Sequence, residues 1–380
     1  MSLIFFISLF FLMSIWLIYP LSLKLSSIFK SPFGRVVDGL NIQPSVSVII
    51  AAHNEANNLK KRCENIFSQS YFGAIEVIIA SDGSTDGTND VVQQLTEEFR
   101  HIIYLDIQPQ CGRSNAHNLA VKKANHDLLV FTDAETEFEP EFLLNLVTPF
   151  SDSSVGFVSG KLKYRNAKSN SISESVNLYW CLEMFMRHAE SMLGIYAMGT
   201  GACCAIRKPL YKTIPATGDV DFITPLDVVL QGKKCVHVGN AIAWDELPDS
   251  PRKEFSARVR MTSKNLTGTL KRWGWRSLVK HPLYSITIFL HKIGRWLTPF
   301  FLIGLLMSNI VLLFGGGYLF VGVFVLQVSF YVLGLLGFFN VNILYSRQVY
   351  SFLLANAGFL MGVLQALVGR TPKLYTPMSQ

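Results

Sequence analysis

Acids collect in this sequence where apolar runs give way to loops. His53-Asn54-Glu55 follows the apolar run 45–51, Ser81-Asp82-Gly83-Ser84-Thr85-Asp86-Gly87-Thr88 follows 76–80, and Asp133-Ala134-Glu135 follows 128–132. An Asp-Gly-Ser turn behind a strand is a tight loop whose carboxylate can accept from a base or ribose; it can equally be a turn and helix cap. Acids two apart in an extended loop can approach one divalent cation, Mn2+ or Mg2+, with phosphates completing the shell. The plain alternative is an exposed acidic turn. Gly112-Arg113-Ser114-Asn115-Ala116-His117-Asn118 opens a helical pattern with a cation. A cation there opposes the helix macrodipole and makes sense where an anion such as diphosphate sits; otherwise Arg113 is an exposed arginine.

The frame for these residues is legible between 44 and 250. Short apolar runs read as strands at 45–51, 76–80, 102–105 and 128–132. Between them lie helical patterns at 56–70, 89–100 and 114–124, and Pro140 opens another. This alternation implies an α/β domain with a mostly parallel sheet covered on both faces. Ligands bind such sheets at the carboxyl ends of the strands, where the acids lie.

Composition adds a membrane. The chain is 50% hydrophobic and 16% charged, against about 25% charged in a soluble domain. From Trp296 to Ser346 there is no Asp, Glu, Lys, Arg or His, too long a run for one crossing of a core about 30 Å thick. Gly315-Gly316-Gly317 is the expected turn. Runs 349–369 and 3–23 are also of spanning length. A cleaved signal peptide is the alternative for 3–23, but its leading end lacks positive residues and no A-x-A site follows. Lys24, Lys30 and Arg35 behind it place the middle of the chain in the cytosol. Four full crossings would leave Arg370 and Lys373 outside, against that rule; a re-entrant last segment would not. The stretch 251–283 carries Arg252, Lys253, Arg258, Arg260, Lys264, Lys271, Arg272, Arg276 and Lys280 against Glu254. With spans following at once it reads as amphipathic helices on an anionic membrane surface, not as a nucleic-acid surface. The cysteines form no C-x-x-C and read as buried thiols in a reducing compartment.

Taken together and in order, these stretches resemble family 2 glycosyltransferases over roughly 44–268. The resemblance implies the Rossmann-like GT-A fold. In that family the V-S-V-I-I-A-A-H-N-E strand and the S-D-G-S-T-D-G-T turn hold the nucleotide, implying donor contacts from Ala52, Asn54, Glu55, Asp82 and Gly83. Arg113 stands where the family often has a lysine beside the nucleotide, and Asn118 follows on the same helix. Asp133 and Glu135 stand at the D-x-D motif that meets donor and metal, with glutamate replacing the second aspartate. Gly199-Thr200-Gly201-Ala202 and Ala205-Ile206-Arg207 look like the loop and strand beneath the acceptor. Gly218-Asp219-Val220-Asp221-Phe222 looks like the T-E-D or D-D-F motif, which implies Asp221 as general base, with Asp219 as competitor and a helix cap as the plain alternative. A base is useful because an alcohol is a poor nucleophile at neutral pH. Processive members carry Q-x-x-R-W after that motif; here 257–261 keeps an arginine, Arg260, without the rest. Trp180 and Trp244 can stack on sugar faces or simply pack in the core. His291-Lys292-Ile293-Gly294-Arg295-Trp296 at the membrane edge reads as interfacial anchoring or as contact with an acceptor's phosphates.

The resulting expectation is a transmembrane helix at 1–23, a GT-A domain at 44–250, interfacial helices at 251–283 and about three hydrophobic segments within 284–370. Function is expected to be inverting, non-processive transfer from a nucleotide-sugar, by family habit a UDP-sugar, to a lipid-linked or glycolipid acceptor. The expected location is the cytosolic side of the cell (inner) membrane, among membrane lipids. The alternatives are a processive polysaccharide synthase and a catalytically inactive nucleotide-binding scaffold.

Overall fold

The computed structural model describes residues 1–28, 43–166, 171–246, 250–341 and 343–372, and for 171–178 the backbone alone. Lys30, Arg35 and Lys373, used above to orient the chain, lie outside the described residues.

An eight-stranded sheet organises the middle of the chain. Its strands are β1 (Val46–Ala52), β2 (Ile75–Asp82), β3 (Ile102–Ile107), β4 (Leu128–Thr132), β5 (Glu137–Phe138), β6 (Val155–Tyr164), β7 (Cys204–Arg207) and β8 (Lys234–Asp245). The spatial order is β3-β2-β1-β4-β7-β6-β8-β5. β3, β2, β1 and β4 are mutually parallel. β7 is antiparallel to β4 and β6, and β8 again runs parallel to β6. The Val/Ile runs suit a sheet buried on both faces. Val48 and Ile50 face the Ala56–Phe67 and Thr88–Glu98 helices, while Ile49 and Ile78 face Arg113–Lys123 and Val220–Leu230. Val48, Ile49, Ile50 and Ile78 are each 0% exposed, and burying such a side chain contributes roughly 2 kcal/mol.

Register levels the site. Ala52 pairs with Ser81 and Ile50 with Thr132, so β1, β2 and β4 deliver their following loops to one rim. Antiparallel β7 pairs Cys204 with Phe131, which brings the start of that strand, and 199–202 before it, to the same rim. β8 ends there too, with Asp245 opposite Tyr164.

Among the described residues four helices are long and apolar enough to cross a membrane: Ser2–Ile28, Pro282–Leu313, Tyr318–Phe338 and Ser346–Leu367. They fit an integral membrane protein. The expected glycine turn separates the second from the third, with Gly316 at φ +68° and Gly317 at φ +157°, conformations that favour glycine. The first helix runs past 23, to Ile28. It contains a π-helical turn, Ser14–Ile18, and Ile15 packs where a Cβ on Gly294 would lie 2.3 Å from Ile15 Cδ1. Gly294 directly follows a second π-helical turn, Phe289–Ile293.

The Pro251–Arg272 helix differs from a helix resting on a lipid surface. Its exposed cations include Arg252, Lys253 and Lys271, but Arg258, Lys264 and Arg272 turn inward to Glu254, Asp219 and Asp227. Its other neighbour is the Ser346–Leu367 helix. A Cβ on Gly358 or Gly362 would lie 2.7 Å from Arg258 Cβ or Thr262 Cβ, so small residues permit the approach.

Candidate active site

The loops after β1 and β2 are laced together. Asn54, at φ +59°, accepts from Thr85 N at 2.8 Å, and its own N–H donates to Ser84 Oγ at 3.2 Å. Glu55 N donates to Thr88 Oγ1 at 2.9 Å, and Ala56 N to Asp86 Oδ2 at 3.2 Å. The second loop turns at Gly83 and Gly87, with φ +66° and +91°. Asp82, 3% exposed, accepts from Cys111 N at 2.7 Å and Gly112 N at 2.8 Å. Its carboxylate therefore fastens the entry to the Arg113–Lys123 helix. Each such charge-assisted bond contributes about 1.5–3 kcal/mol.

Arg113, the first residue of that helix, forms an ion pair with Asp133. Its guanidinium and the Asp221 carboxylate both border the space beside Gly201. A Cβ on Gly201 would lie 3.6 Å from Arg113 Nη2 and 3.7 Å from the Asp221 carboxylate carbon. The glycine leaves a gap between cation and acid.

Asp221 lies in the first turn of Val220–Leu230 and Asp219 is the N-cap residue, without a side-chain capping bond. Asp219 instead pairs with Lys264 at 2.5 Å. Burial alone would raise its carboxyl, but Lys264 brings it below the usual aspartate range. Asp221 makes no ion pair within 4.0 Å among the described residues. Burial first, then the charge of Asp219, pushes Asp221 above the usual range, with Arg113 and Arg187 opposing. Of the two competitors, the structure leaves Asp221 unspent.

The loop opposite Asp221 is held from behind. Arg187, 4% exposed, donates to Gly199 O at 2.8 Å and Thr200 Oγ1 at 2.6 Å, and pairs with Glu183 at 2.9 Å. A Cβ on Gly199 would lie 2.6 Å from the Phe157 ring.

Asp133 and Glu135 share the loop after β4, and Glu135 also lines a 470 Å³ cleft with Arg62, Arg165, Trp244 and Asp245. Burial, then Glu135, pushes the Asp245 carboxyl up to about 6. Burial likewise raises Glu55, with Glu135 adding to it. Among the described residues no three His, Cys, Asp or Glu side chains form a closed metal cage. A hard divalent ion can be held by an open pair of acids completed by phosphate oxygens; Asp133 and Glu135 offer two carboxylates on one loop, the first of them paired with Arg113.

Other expected residues are placed differently. Asn118 spends its amide on Ile214 O at 2.8 Å and its oxygen on Tyr211 Oη at 2.8 Å and Ile214 N at 2.9 Å; it fastens the 211–214 segment instead of facing the gap. Ala52 is 1% exposed within the core cluster, so only its backbone is placed to meet a ligand. Trp244 donates to Glu139 at 3.0 Å at the cleft wall, whereas Trp180 donates to Leu162 O at 2.8 Å. Arg260 lies on the Pro251–Arg272 helix one turn before Lys264, and its charge bears on Asp219. Sequence reasoning missed Asp245, Arg187 and Glu183. The alternating run Lys234–Asp245, ending Trp-Asp, was the available signal for the first.

Residues 47–214 match the family model described as Glycosyl transferase family 2. The chain is 25% identical over 236 residues to the poly-beta-1,6-N-acetyl-D-glucosamine synthase of Staphylococcus aureus, covering 58% of this chain and 56% of that protein. It is 26% identical over 179 residues to an N-acetylglucosaminyltransferase of Azorhizobium caulinodans, covering 46% and 45%. The chain thus spans about half the length of these relatives. The mannosyltransferase PcManGT of Pyrobaculum calidifontis, solved with GDP-Man and Mn2+, superposes with a TM-score of 0.74 at 19% identity, covering 97% of this chain and 99% of that one. The fold is the GT-A type with appended apolar helices, as the resemblance implied.

Proposed function

We propose, from the match of residues 47–214 to the Glycosyl transferase family 2 model, that the chain transfers one sugar, with inversion, from a nucleotide-sugar to a membrane-associated lipid or saccharide acceptor on the cytosolic side of a cell membrane. The observation that carries this reading is the gap at Gly201. There the Asp221 carboxylate and the Arg113 guanidinium border the same space, and Arg113 in turn pairs with Asp133, the first acid of the proposed metal pair.

The nucleotide side is built by Asn54, Glu55, Asp82 and Gly83, and the PcManGT complex supports a diphosphate donor with a divalent ion. Asp133 and Glu135 would hold Mn2+ or Mg2+, which when bound offsets charge on the departing diphosphate. Arg113 adds a positive charge at the same place. Asp221 takes the acceptor hydroxyl's proton as that oxygen bonds to the anomeric carbon. The bond from that carbon to the diphosphate oxygen breaks on the opposite face, and the nucleoside diphosphate leaves with the electron pair. Gly199, Thr200 and Gly201, braced by Arg187, shape the acceptor side, with Trp244 and Arg260 at its borders.

A processive synthase is the second reading, favoured by the likeness to the staphylococcal polysaccharide synthase. Incubation of the full chain in nanodiscs with labelled nucleotide-sugars and Mn2+, followed by product sizing, separates the two. Addition of one sugar, lost with EDTA, is the expected result; a long ladder establishes the synthase, and no transfer from any donor removes both.

A further inference from the structure

The loop that carries Gly199, Thr200 and Gly201 has little of its own to hold it. Residues 195–200 form neither helix nor strand, and loops of that kind are ordinarily the movable parts of a site. Yet Tyr196, Ala197 and Met198 are at most 2% exposed, and the two bonds from Arg187 Nη1 land on Gly199 and Thr200. Whatever fixes Arg187 therefore fixes the wall beside Asp221.

Arg187 is fixed through Glu183. Oε1 of Glu183 lies 2.9 Å from Arg187 Nε and 2.5 Å from Lys292 Nζ. Oε2 lies 2.9 Å from Arg295 Nη1 and 3.0 Å from His291 Nε2. A carboxylate offers about four acceptor sites, and three of the four groups that meet this one come from the Pro282–Leu313 helix. His291 continues the path. Its Nδ1 lies 2.6 Å from Glu190 Oε1, to which Tyr19 Oη of the Ser2–Ile28 helix also donates at 2.6 Å. Tyr19, Glu190, His291, Glu183 and Arg187 are each at most 6% exposed. Hydrogen bonds so far from water are strong and reinforce one another. A continuous buried path thus joins the first apolar helix to Thr200.

A second observation points the same way. Each of the two apolar helices carries a π-helical turn where it joins this path. Ser14–Ile18 ends immediately before Tyr19, and Phe289–Ile293 contains both His291 and Lys292. Such turns re-aim the side chains around them; they are rare, and frequent at functional sites. A helix that served only as an anchor would need neither the turn nor a buried hydroxyl directed at a catalytic-domain carboxylate.

We propose that Tyr19 and His291 are positioning residues for sugar transfer. They hold Glu183 and Arg187, and through them the 199–201 loop, in the shape that lets an acceptor hydroxyl reach Asp221. The Ser2–Ile28 helix is then part of the catalytic scaffold as well as an anchor. This rests on the glycosyltransferase reading of Asp221. Neither residue meets the donor, so their loss is expected in kcat and not in the KM for the nucleotide-sugar.

The test uses Tyr19→Phe and His291→Gln in the full chain in nanodiscs. Tyr19→Phe removes only the hydroxyl and keeps the ring in its cluster with Leu23, Met186 and Ala189. Thr298→Val is the control, because Thr298 accepts from Trp16 Nε1 at 3.0 Å and so joins the same two helices without belonging to the path. Amide hydrogen exchange at 199–203 is expected to speed about fivefold or more in the first two variants. Exchange at 46–52 should stay as it was, and Thr298→Val should change neither segment. In the same two variants kcat is expected to fall by a similar factor, with the KM for the nucleotide-sugar unchanged. Unchanged exchange at 199–203 overturns the proposal. Faster exchange that also appears at 46–52 or in Thr298→Val overturns it too, because that is general loosening. So does faster exchange at 199–203 with an unaltered kcat. Should His291→Gln fail to fold, Tyr19→Phe decides alone. If the unaltered chain transfers sugar from no donor, it is the proposed function that falls, and the exchange comparison still decides whether Tyr19 holds the loop.

Discussion

Arg113 and Asp221 face each other across Gly201, which is near enough to both that a methyl group there would touch them at 3.6–3.7 Å. These are ordinary van der Waals distances, so Gly201→Ala is expected to fold with a stability change within about 1 kcal/mol. A larger side chain fills the gap an attacking hydroxyl must enter. Gly201→Leu should lower kcat/KM at least tenfold beyond Gly201→Ala, with both folded by thermal unfolding. Equal activity of the two variants would show that nothing passes through this gap.

The pH dependence of transfer follows from Asp221 and Asp219. A base must be ionised, so activity falls as pH drops through the pKa of Asp221, which burial and then Asp219 hold above the usual range. The acid limb of kcat/KM is therefore expected above about pH 4, where an ordinary aspartate would set it. Asp219→Asn removes the neighbouring negative charge and frees Lys264 from its 2.5 Å pair. Both changes favour the ionised form of Asp221, so the limb should move to lower pH. A limb that stays put or moves up contradicts the assignment.

Asp82 is a structural fastener as well as a proposed donor-site residue. Asp82→Ala strands the half-buried N–H group of Cys111 and the buried one of Gly112. Removing both bonds should cost about 3–6 kcal/mol, seen as a lower unfolding temperature without any nucleotide present. Nucleotide affinity should fall too, because Arg113 follows at once in the chain. A variant with unchanged stability but lost nucleotide binding would assign Asp82 to base contact alone.

Glu135→Gln tests the open acid pair. With one carboxylate removed, stabilisation by Mn2+ plus a nucleoside diphosphate should weaken about tenfold or more, while the apo unfolding temperature changes little because Glu135 is exposed. Undiminished Mn2+ dependence would move the metal elsewhere.

The parts readable in advance were those with an unbroken signal. β1, β2 and β4 are apolar runs closed by turn residues, and 128–132 coincides with the strand found there. β6 and β8 were harder, since their pairing is broken by register shifts near 155–157 and 159–161, and β5 has two residues. Without β8 the position of Asp245 on the rim had no frame. Glu55, Asp82, Asp133 and Glu135 were legible because each lies at or just beyond the end of a strand. Glu183, Arg187 and Glu190 were not, since charges along a helix normally face water. Here Glu183 and Glu190 are met by His291, Lys292 and Arg295, about a hundred residues later in the chain, and Arg187 pairs with Glu183. Those partners in turn read as membrane-edge anchors, the usual fate of basic residues beside a span. That His291 is 0% and Arg295 1% exposed depends on packing that no local pattern encodes.

The most direct measurement is made on Asp221→Asn, comparing sugar transfer, nucleotide stabilisation and unfolding temperature with the unaltered chain at pH 7.5. Because the folded state favours the protonated carboxyl of Asp221, stability contributed by that proton is lost as pH rises through the raised pKa, and an uncharged amide should not lower the unfolding temperature. Transfer is predicted to fall by about 10²–10⁴-fold, the usual contribution of a general base, with nucleotide stabilisation intact. Transfer at the unaltered rate in a folded, nucleotide-binding Asp221→Asn would contradict the account.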